Sequence, residues 1–337
     1  MLERRLGLQI NEYIMNTEVV ITDHTFDDLE ATRELLRPLD ITISEHQCRT
    51  QDEVMRVTKN AVAVLVNYAP IGRDVIQQMT RCKIIARYGA GYDNIDIREA
   101  KARGIYVTNI PGGSTDEVAD HTMAVMLSML RKIPQARELT RRDIWDATRV
   151  MPLPRVRGLR LGLVGLGRIA RAVAQRASSF GMRVMAFDPC VDDSVFQSTQ
   201  VANVSLEDLL SMANVVSIHA PLNKTTRHLI GRDELRRMKP DAYLINTSRG
   251  SVIDEQALIE ALENNRIAGA ALDVLETEPP SATNHLLSLE NTIVTCHCAG
   301  YSNEQQRMSQ STAAEQVLAV LEGQRPNSIV NQLRKEK

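Results

Sequence analysis

The chain has 337 residues, enough for two domains with separate cores, and its 40 basic and 42 acidic residues leave a net charge of −2. That balance excludes the basic field of a direct nucleic-acid binder and the acidic tail of a disordered segment. The longest nearly apolar stretch, Met123 to Leu130, is too short to span a bilayer and reads as a buried helix, so no membrane partner is expected.

The opening MLERRLGLQINEYI precedes the first convincing strand. Arg4 and Arg5 are followed by too few apolar residues for a secretory core. The segment is expected to be a disordered leader, or an upstream start with the true one at Met15. Short β-branched runs then alternate with helical patterns, the signature of parallel α/β sheets. Strands are predicted at 18–23, 40–45, 61–67, 83–89 and 104–109. Helices are predicted between them at Asp27–Leu36, Gln51–Thr58, Gly72–Met79 and Ile95–Arg103. The loop IPGGSTDE leads into a long apolar-striped helix, about Thr115–Arg131, whose Ser114 or Thr115 cap and early Asp116 and Glu117 suit a helix start.

A second series begins with the strand 158–165, followed by strands at 182–188, 215–221, 242–248, 269–274 and 292–297. Its helices are predicted at Ile169–Phe180, Leu206–Met212, Arg232–Arg237 and Glu255–Asn264. A last helix near Glu304–Leu321 repeats Val317, Leu318, Val320 and Leu321 at helical spacing and stops at Gly323 and Pro326.

The second series opens with G-x-G-x-x-A: Gly165, Gly167 and Ala170. By itself that pattern is weak. Here a strand precedes it, Arg168 and Ile169 open a helix, and Asp188 ends the next strand at the distance a dinucleotide-binding unit requires. Gly165 permits the tight turn, Gly167 lets backbone approach a pyrophosphate, and Ala170 allows close helix–strand packing. The helix N-terminus offers unpaired N–H groups to the phosphates. The Asp188 carboxylate can accept from both ribose hydroxyls but repels a 2′-phosphate, and Pro189, Cys190 and Val191 supply no arginine for one. NAD is the expected cofactor, in preference to NADP.

Three further residues each follow a strand. Arg249, in INTSRGSVID, can grip a carboxylate bidentately and polarise a neighbouring carbonyl. Glu278 lies in DVLETEPP, and His297 follows TIVTC. Singly, each is as consistent with a solvated loop or a structural role as with chemistry; in this order at the strand ends of one dinucleotide-binding series they reinforce one another. The five cysteines (Cys48, Cys82, Cys190, Cys296 and Cys298) show no framework spacing, which fits free thiols in a reducing, cytoplasmic compartment. Cys296-His297-Cys298 has no second Cys/His pair nearby in sequence, and its spacing crowds two thiolates on one ion, so no metal is expected.

GLVGLGRIARAVA, FDP, INTSRG, ALDVLETEP, CHCAGYS, RYGAGYDNID and EVADHT together resemble the D-isomer-specific 2-hydroxyacid dehydrogenase family over about 19–330. The resemblance implies two doubly wound parallel-sheet domains, a flavodoxin-like substrate domain and a Rossmann NAD-binding domain, with the active-site cleft between them. The substrate domain would be discontinuous, 1–112 with 303–337, around a cofactor domain at 113–302 that usually forms a homodimer interface. By the same likeness Arg249 is the substrate-binding arginine, Glu278 the carboxylate partner and His297 the general acid/base. Asp188 matches the ribose-binding acid. Thr247, Ser248, Asp273 and the stretch His219, Ala220, Pro221 and Leu222 match positions on the nicotinamide side.

The expected reaction is reversible hydride transfer between NADH and a small 2-oxo acid, the acid's carboxylate lying against backbone N–H groups at Ala90 and Gly91. Glu278 would orient the His297 imidazole and stabilise its charged form. Arg87, just before that anion loop, matches a second carboxylate-contacting arginine in the branch that includes the C-terminal binding proteins. An NAD-sensing corepressor or scaffold of that kind is the alternative to an enzyme, and 3-phosphoglycerate dehydrogenase without a regulatory domain is the narrower enzymatic reading. Two positions depart from the branch: Gly300 stands in place of a tryptophan, and Cys296 in place of a proline before the histidine.

Overall fold

The computed structural model describes residues 18–39 and 41–333; the expected leader and the start at Met15 lie outside them. The chain divides into two compact units, one formed by the described residues up to Ser114 together with those from Ser302 onward, the other spanning Thr115–Tyr301.

The first unit holds five strands: β1 (Glu18–Ile21), β2 (Thr42–Glu45), β3 (Ala63–Val66), β4 (Ile84–Arg87) and β5 (Tyr106–Thr108). They lie in the order β2-β1-β3-β4-β5, and every pair is parallel. A parallel sheet is covered on both faces, which is why β3 reads AVLV with all four residues buried. One face packs Val20, Val64, Val66 and Ile85 against Val54, Val75 and Ile76. The other packs Val19, Ile21, Leu65 and Ile84 against Leu36 and against Ala313, Ala314 and Val317 of the final helix, Asn303–Leu321. Gln310 ties that helix down, its amide nitrogen donating to the Asp28 carbonyl at 2.9 Å. The final helix thus belongs to the first unit, an assignment that periodicity alone left open.

The second unit holds β6 (Arg160–Val164), β7 (Arg183–Phe187), β8 (Ala202–Asn203), β9 (Val215–Ile218), β10 (Tyr243–Asn246), β11 (Gly269–Leu272) and β12 (Thr292–Val294). Their order, β12-β11-β10-β9-β6-β7-β8, is that of a doubly wound dinucleotide-binding sheet. All the pairs are again parallel. The helix Thr115–Leu130 buries Met123, Met126, Met129 and Leu130 against Leu161, Leu163 and Ile245. Arg176 of the helix Arg168–Ser179 donates to Asp116 and Asp120 of the same long helix, at 2.8 and 2.6 Å. The stretch Met123 to Leu130 is a buried helix, as its composition predicts. No helix among the described residues is long and apolar enough to cross a membrane.

The α-helices Ile133–Arg141 and Asp193–Thr199 and the edge strand β8 have no counterpart among the predicted helices and strands.

Candidate active site

The order of the second sheet reverses between β6 and β9, and at this switch point the carboxyl ends of neighbouring strands part to admit a ligand. Gly165 follows β6 with φ +96°, and a Cβ there would lie 2.9 Å from the His219 carbonyl oxygen beyond β9. Only glycine suits both that backbone and that approach. Gly167 caps the helix Arg168–Ser179 with no side-chain hydrogen bond, and a Cβ placed on it would meet nothing within 4 Å. The helix start, with Arg168 and Ile169 as its first residues, therefore presents N–H groups to open space. Ala170 is fully buried against the sheet. Asp188 follows β7, its Oδ2 accepting from Leu166 N–H at 2.8 Å and its Oδ1 from Cys190 N–H at 2.9 Å. This clamp fixes the carboxylate beside the glycine turn. Open space at the turn, an uncapped helix start and an anchored acid fit a dinucleotide with free ribose hydroxyls.

Beyond β9 come His219, Ala220 and Pro221. Burial pushes the His219 imidazole down to about 4, so the ring is neutral at pH 7. Its Nε2 lies 2.9 Å from the Ser217 hydroxyl.

Beyond β10 the chain turns through Thr247, Ser248 and Arg249. Asn246 organises the turn: its Oδ1 accepts from Ser248 N–H at 3.0 Å and from the Ser248 hydroxyl at 2.8 Å, and its Nδ2 donates to the Arg249 carbonyl at 2.9 Å. Thr247 shares a 2.9 Å hydroxyl contact with Thr122 of the long helix. A Cβ on Gly250 would fall 2.0 Å from the backbone carbonyl of Leu275. The arginine turn and the loop after β11 therefore touch backbone to backbone, which brings Arg249 close enough to Glu278 to act on its charge.

Glu278 Oε1 accepts from Leu275 N–H at 2.9 Å, and Oε2 lies 2.6 Å from His297 Nδ1. Burial by itself would raise the Glu278 carboxyl. The hydrogen bond and charge of His297, the Leu275 N–H and the Arg249 guanidinium outweigh it and hold the group below its ordinary value. The carboxylate is thus ionised, and it engages the imidazole at Nδ1.

Asp273, after β11, is the anchor of the histidine loop. Its backbone carbonyl accepts from His297 N–H at 2.8 Å, and its carboxylate accepts from the Thr295 hydroxyl at 2.6 Å and from the N–H groups of Cys298 and Ala299, each at 2.9 Å. His297 itself adopts φ +55°. A side-chain-bearing residue rarely takes that conformation, and it persists only where surrounding bonds over-determine it. The Asp273 bonds do so. His121 of the long helix completes the group, its Nε2 3.1 Å from the Thr295 hydroxyl and 3.7 Å from Asp273 Oδ1. His121 and Thr295 were missing from the residues expected to matter. His121 lies within EVADHT, so the motif was visible, but its contact with Asp273 is not a matter of spacing.

Arg87, Ala90 and Gly91 belong to the first unit. The Arg87 guanidinium carbon sits 5.5 Å from the centroid of the Tyr68 ring, a cation–π arrangement. The loop after β4 is held by Ile110 N–H on the Gly89 carbonyl at 3.0 Å and by the Asn109 amide on the Ala90 carbonyl at 2.6 Å. With those carbonyls turned away into hydrogen bonds, the loop is braced from one side.

Residues 123–299 match the model of the D-isomer specific 2-hydroxyacid dehydrogenase NAD binding domain. The chain is 42% identical over 266 residues to a glyoxylate reductase of Korarchaeum cryptofilum, covering 78% of this chain and 80% of that one. It is 37% identical over 316 residues to a D-3-phosphoglycerate dehydrogenase of Methanocaldococcus jannaschii, covering 93% of this chain and 59% of that protein's length. Among solved structures, an Aquifex aeolicus D-lactate dehydrogenase complexed with NAD and lactic acid superposes with a TM-score of 0.83 at 29% identity, over 90% of this chain and 96% of that one.

Proposed function

The chain belongs to the D-isomer-specific 2-hydroxyacid dehydrogenase family, and from that premise we propose that it is an NAD-dependent oxidoreductase interconverting a small 2-oxo acid and its D-2-hydroxy acid. The observation that carries the reading is the 2.6 Å pairing of Glu278 with His297, with Arg249 acting on the same carboxylate.

Bound NADH supplies the hydride that reduces the carbonyl carbon. Arg249 grips the substrate carboxylate and carbonyl oxygen through its planar fork. His297 donates the proton from Nε2 as negative charge develops on that oxygen, and takes it back in the reverse direction. Glu278 fixes the ring orientation and balances the imidazolium charge. Asp273 fixes the loop that carries the ring. Its Oδ1 is saturated by Thr295 and Cys298, whereas Oδ2 takes one N–H and has acceptor capacity left for a carboxamide of the cofactor. On the first unit, Arg87 and the N–H groups of the Ala90–Gly91 loop are the proposed contacts for a carboxylate.

Glyoxylate reductases and hydroxypyruvate reductases are among the relatives, and short acids of that kind are the proposed substrates. A second copy of this chain is the proposed partner. Ile133, Trp145 and Met151 of the second unit are 55%, 93% and 59% exposed, and the helix Ile133–Arg141 buries no residue. That is apolar area in search of a cover. Five free cysteines support a reducing, cytoplasmic setting.

The test is NADH oxidation across glyoxylate, pyruvate, hydroxypyruvate, phosphohydroxypyruvate and bulkier branched and aromatic 2-oxo acids. Turnover with at least one short acid is expected. Tight NADH binding without turnover of any would replace the enzyme with a cofactor-sensing scaffold.

A further inference from the structure

His297 lies between two thiols, Cys296 and Cys298, and the local backbone brings them together. A residue with a side chain at φ +55° is confined to the left-handed helical well. Helical geometry of either hand spaces alternate Cα atoms about 5.4 Å apart, from the rise and radius of the helix. That value falls within the roughly 4.4–6.8 Å that a disulfide spans. The Cα atoms of the flanking cysteines thus fall within the reach of a disulfide in the same unusual conformation that presents the histidine.

The two thiols differ in environment. Cys296 is exposed and Cys298 half-buried. Burial, then the charges of Asp273 and Cys296 and a hydrogen bond with Cys296, push the Cys298 thiol up. Its Sγ points to Asp273 Oδ1 at 3.7 Å. The pair therefore offers an accessible thiol for first attack and a sheltered neighbour to resolve it. The remaining cysteines lack this arrangement. Cys48 is buried, burial pushes the Cys82 thiol up to about 12, and Cys190 is exposed in the loop after β7.

We propose that Cys296 and Cys298 form a modification site at which hydrogen peroxide closes a disulfide across His297 and a dithiol reopens it. The Cys296 sulfur attacks one peroxide oxygen, the O–O bond breaks, and the departing hydroxide leaves as water with the Cys296 proton. The Cys298 sulfur then attacks the resulting sulfenic sulfur, the S–S bond forms, and the S–O bond breaks to release a second water with the Cys298 proton. Two thiols lose two electrons and two protons, and one peroxide becomes two waters. Closing so small a ring turns the Cys298 sulfur from Asp273 towards Cys296 and reshapes the turn that holds the imidazole 2.6 Å from Glu278. Proton transfer fails in consequence. This last step rests on the role proposed above for His297; formation of the bond does not.

The test uses the full chain exposed to hydrogen peroxide at a small molar excess, with free thiols then trapped by iodoacetamide. The peptide containing residues 296–298 should lose two hydrogens and escape alkylation. NADH oxidation with a short 2-oxo acid should fall by about tenfold or more and return with dithiothreitol. Cys296→Ser and Cys298→Ser should each retain most of their own untreated activity after the same exposure, whereas Cys190→Ser should lose its own as the wild type does. Both thiols alkylated after inactivation would overturn the site, as would loss of the switch in Cys190→Ser alone. A disulfide at full turnover would overturn the link to His297 while leaving the thiol chemistry intact. The mass measurement decides the bond even if no 2-oxo acid is turned over.

Discussion

Glu278 grips His297 by Nδ1 at 2.6 Å, and the histidine's backbone is held in a left-handed turn by Asp273, so the ring is fixed from both ends. Replacing the carboxylate by Glu278→Gln keeps the shape but withdraws the charge that balances an imidazolium. Turnover should drop by roughly 10²-fold, with NADH affinity nearly unchanged. His297→Ala should cost more, about 10²–10⁴-fold, again without loss of NADH binding. Stopped-flow reduction with cofactor titration by fluorescence separates the two effects. Wild-type turnover in His297→Ala would remove the histidine from the reaction.

Two groups give stability a pH dependence, in different windows. The fold favours neutral His219, so an unfolded chain takes up a proton near 6.5 that the folded one resists until about 4. That contribution is present above 6.5 and fades as the pH falls towards 4. Glu278 is shifted downwards, so its contribution is present above the ordinary carboxyl value of 4.5 and is lost as the pH falls through its lower folded value. Urea midpoints measured from pH 8 to 3 should show the wild type losing stability faster than His219→Gln in the first window and faster than Glu278→Gln only in the second. Parallel curves for wild type and both variants would show that neither group titrates as its surroundings require.

Arg249→Lys keeps the charge and removes the fork. An ammonium cannot hold carboxylate and carbonyl oxygen together, so KM for the 2-oxo acid should rise and kcat fall, each by about tenfold or more. Steady-state kinetics read both. Survival of both parameters would take the carboxylate grip away from this arginine.

Most of the fold is legible because its signals are local. β-branched runs such as AVLV and VVSI are buried on both faces of a parallel sheet, and the caps at Asp254, Ser205 and Ser302 mark helix starts. The helix Ile133–Arg141 escapes because it buries nothing and because Pro134, at its start, reads in sequence as a helix breaker. The helix Asp193–Thr199 buries only Phe196, and both residues of β8 are exposed. In the site, the glycine turn and Asp188 are tied to one βαβ unit and can be read as a motif. The meeting of Glu278 with His297, and of His121 and Thr295 with Asp273, depends on which strand ends become neighbours in the sheet, and no spacing encodes that.

Gly250 shows how such neighbours are kept in contact. A Cβ there would lie 2.0 Å from the Leu275 carbonyl and 2.5 Å from Glu276 nitrogen, and backbone cannot step aside as a side-chain tip can. Gly250→Ala should therefore part the arginine turn from the Glu278 loop. The expected result is a lowered melting temperature together with a fall in kcat of about tenfold or more, with NADH affinity less affected. Calorimetry and kinetics on the same sample check it; an alanine variant with wild-type kcat would mean that the two loops need not touch.

The single tryptophan gives the proposed dimer an intrinsic reporter. Trp145 is 93% exposed in one chain, and Ile133 and Met151, at 55% and 59%, add apolar area on the same unit. An indole left in water emits at long wavelength, whereas one packed under a second copy of the chain emits further to the blue. Emission should therefore be blue-shifted at micromolar concentration and move red on dilution, in step with a halving of the mass in analytical ultracentrifugation. Trp145→Asp places a charge where desolvation would be needed and should yield monomer at concentrations where the wild type is dimeric. If the mass stays that of a dimer while the emission remains fully red, the second copy docks elsewhere, and this apolar arm is not the interface.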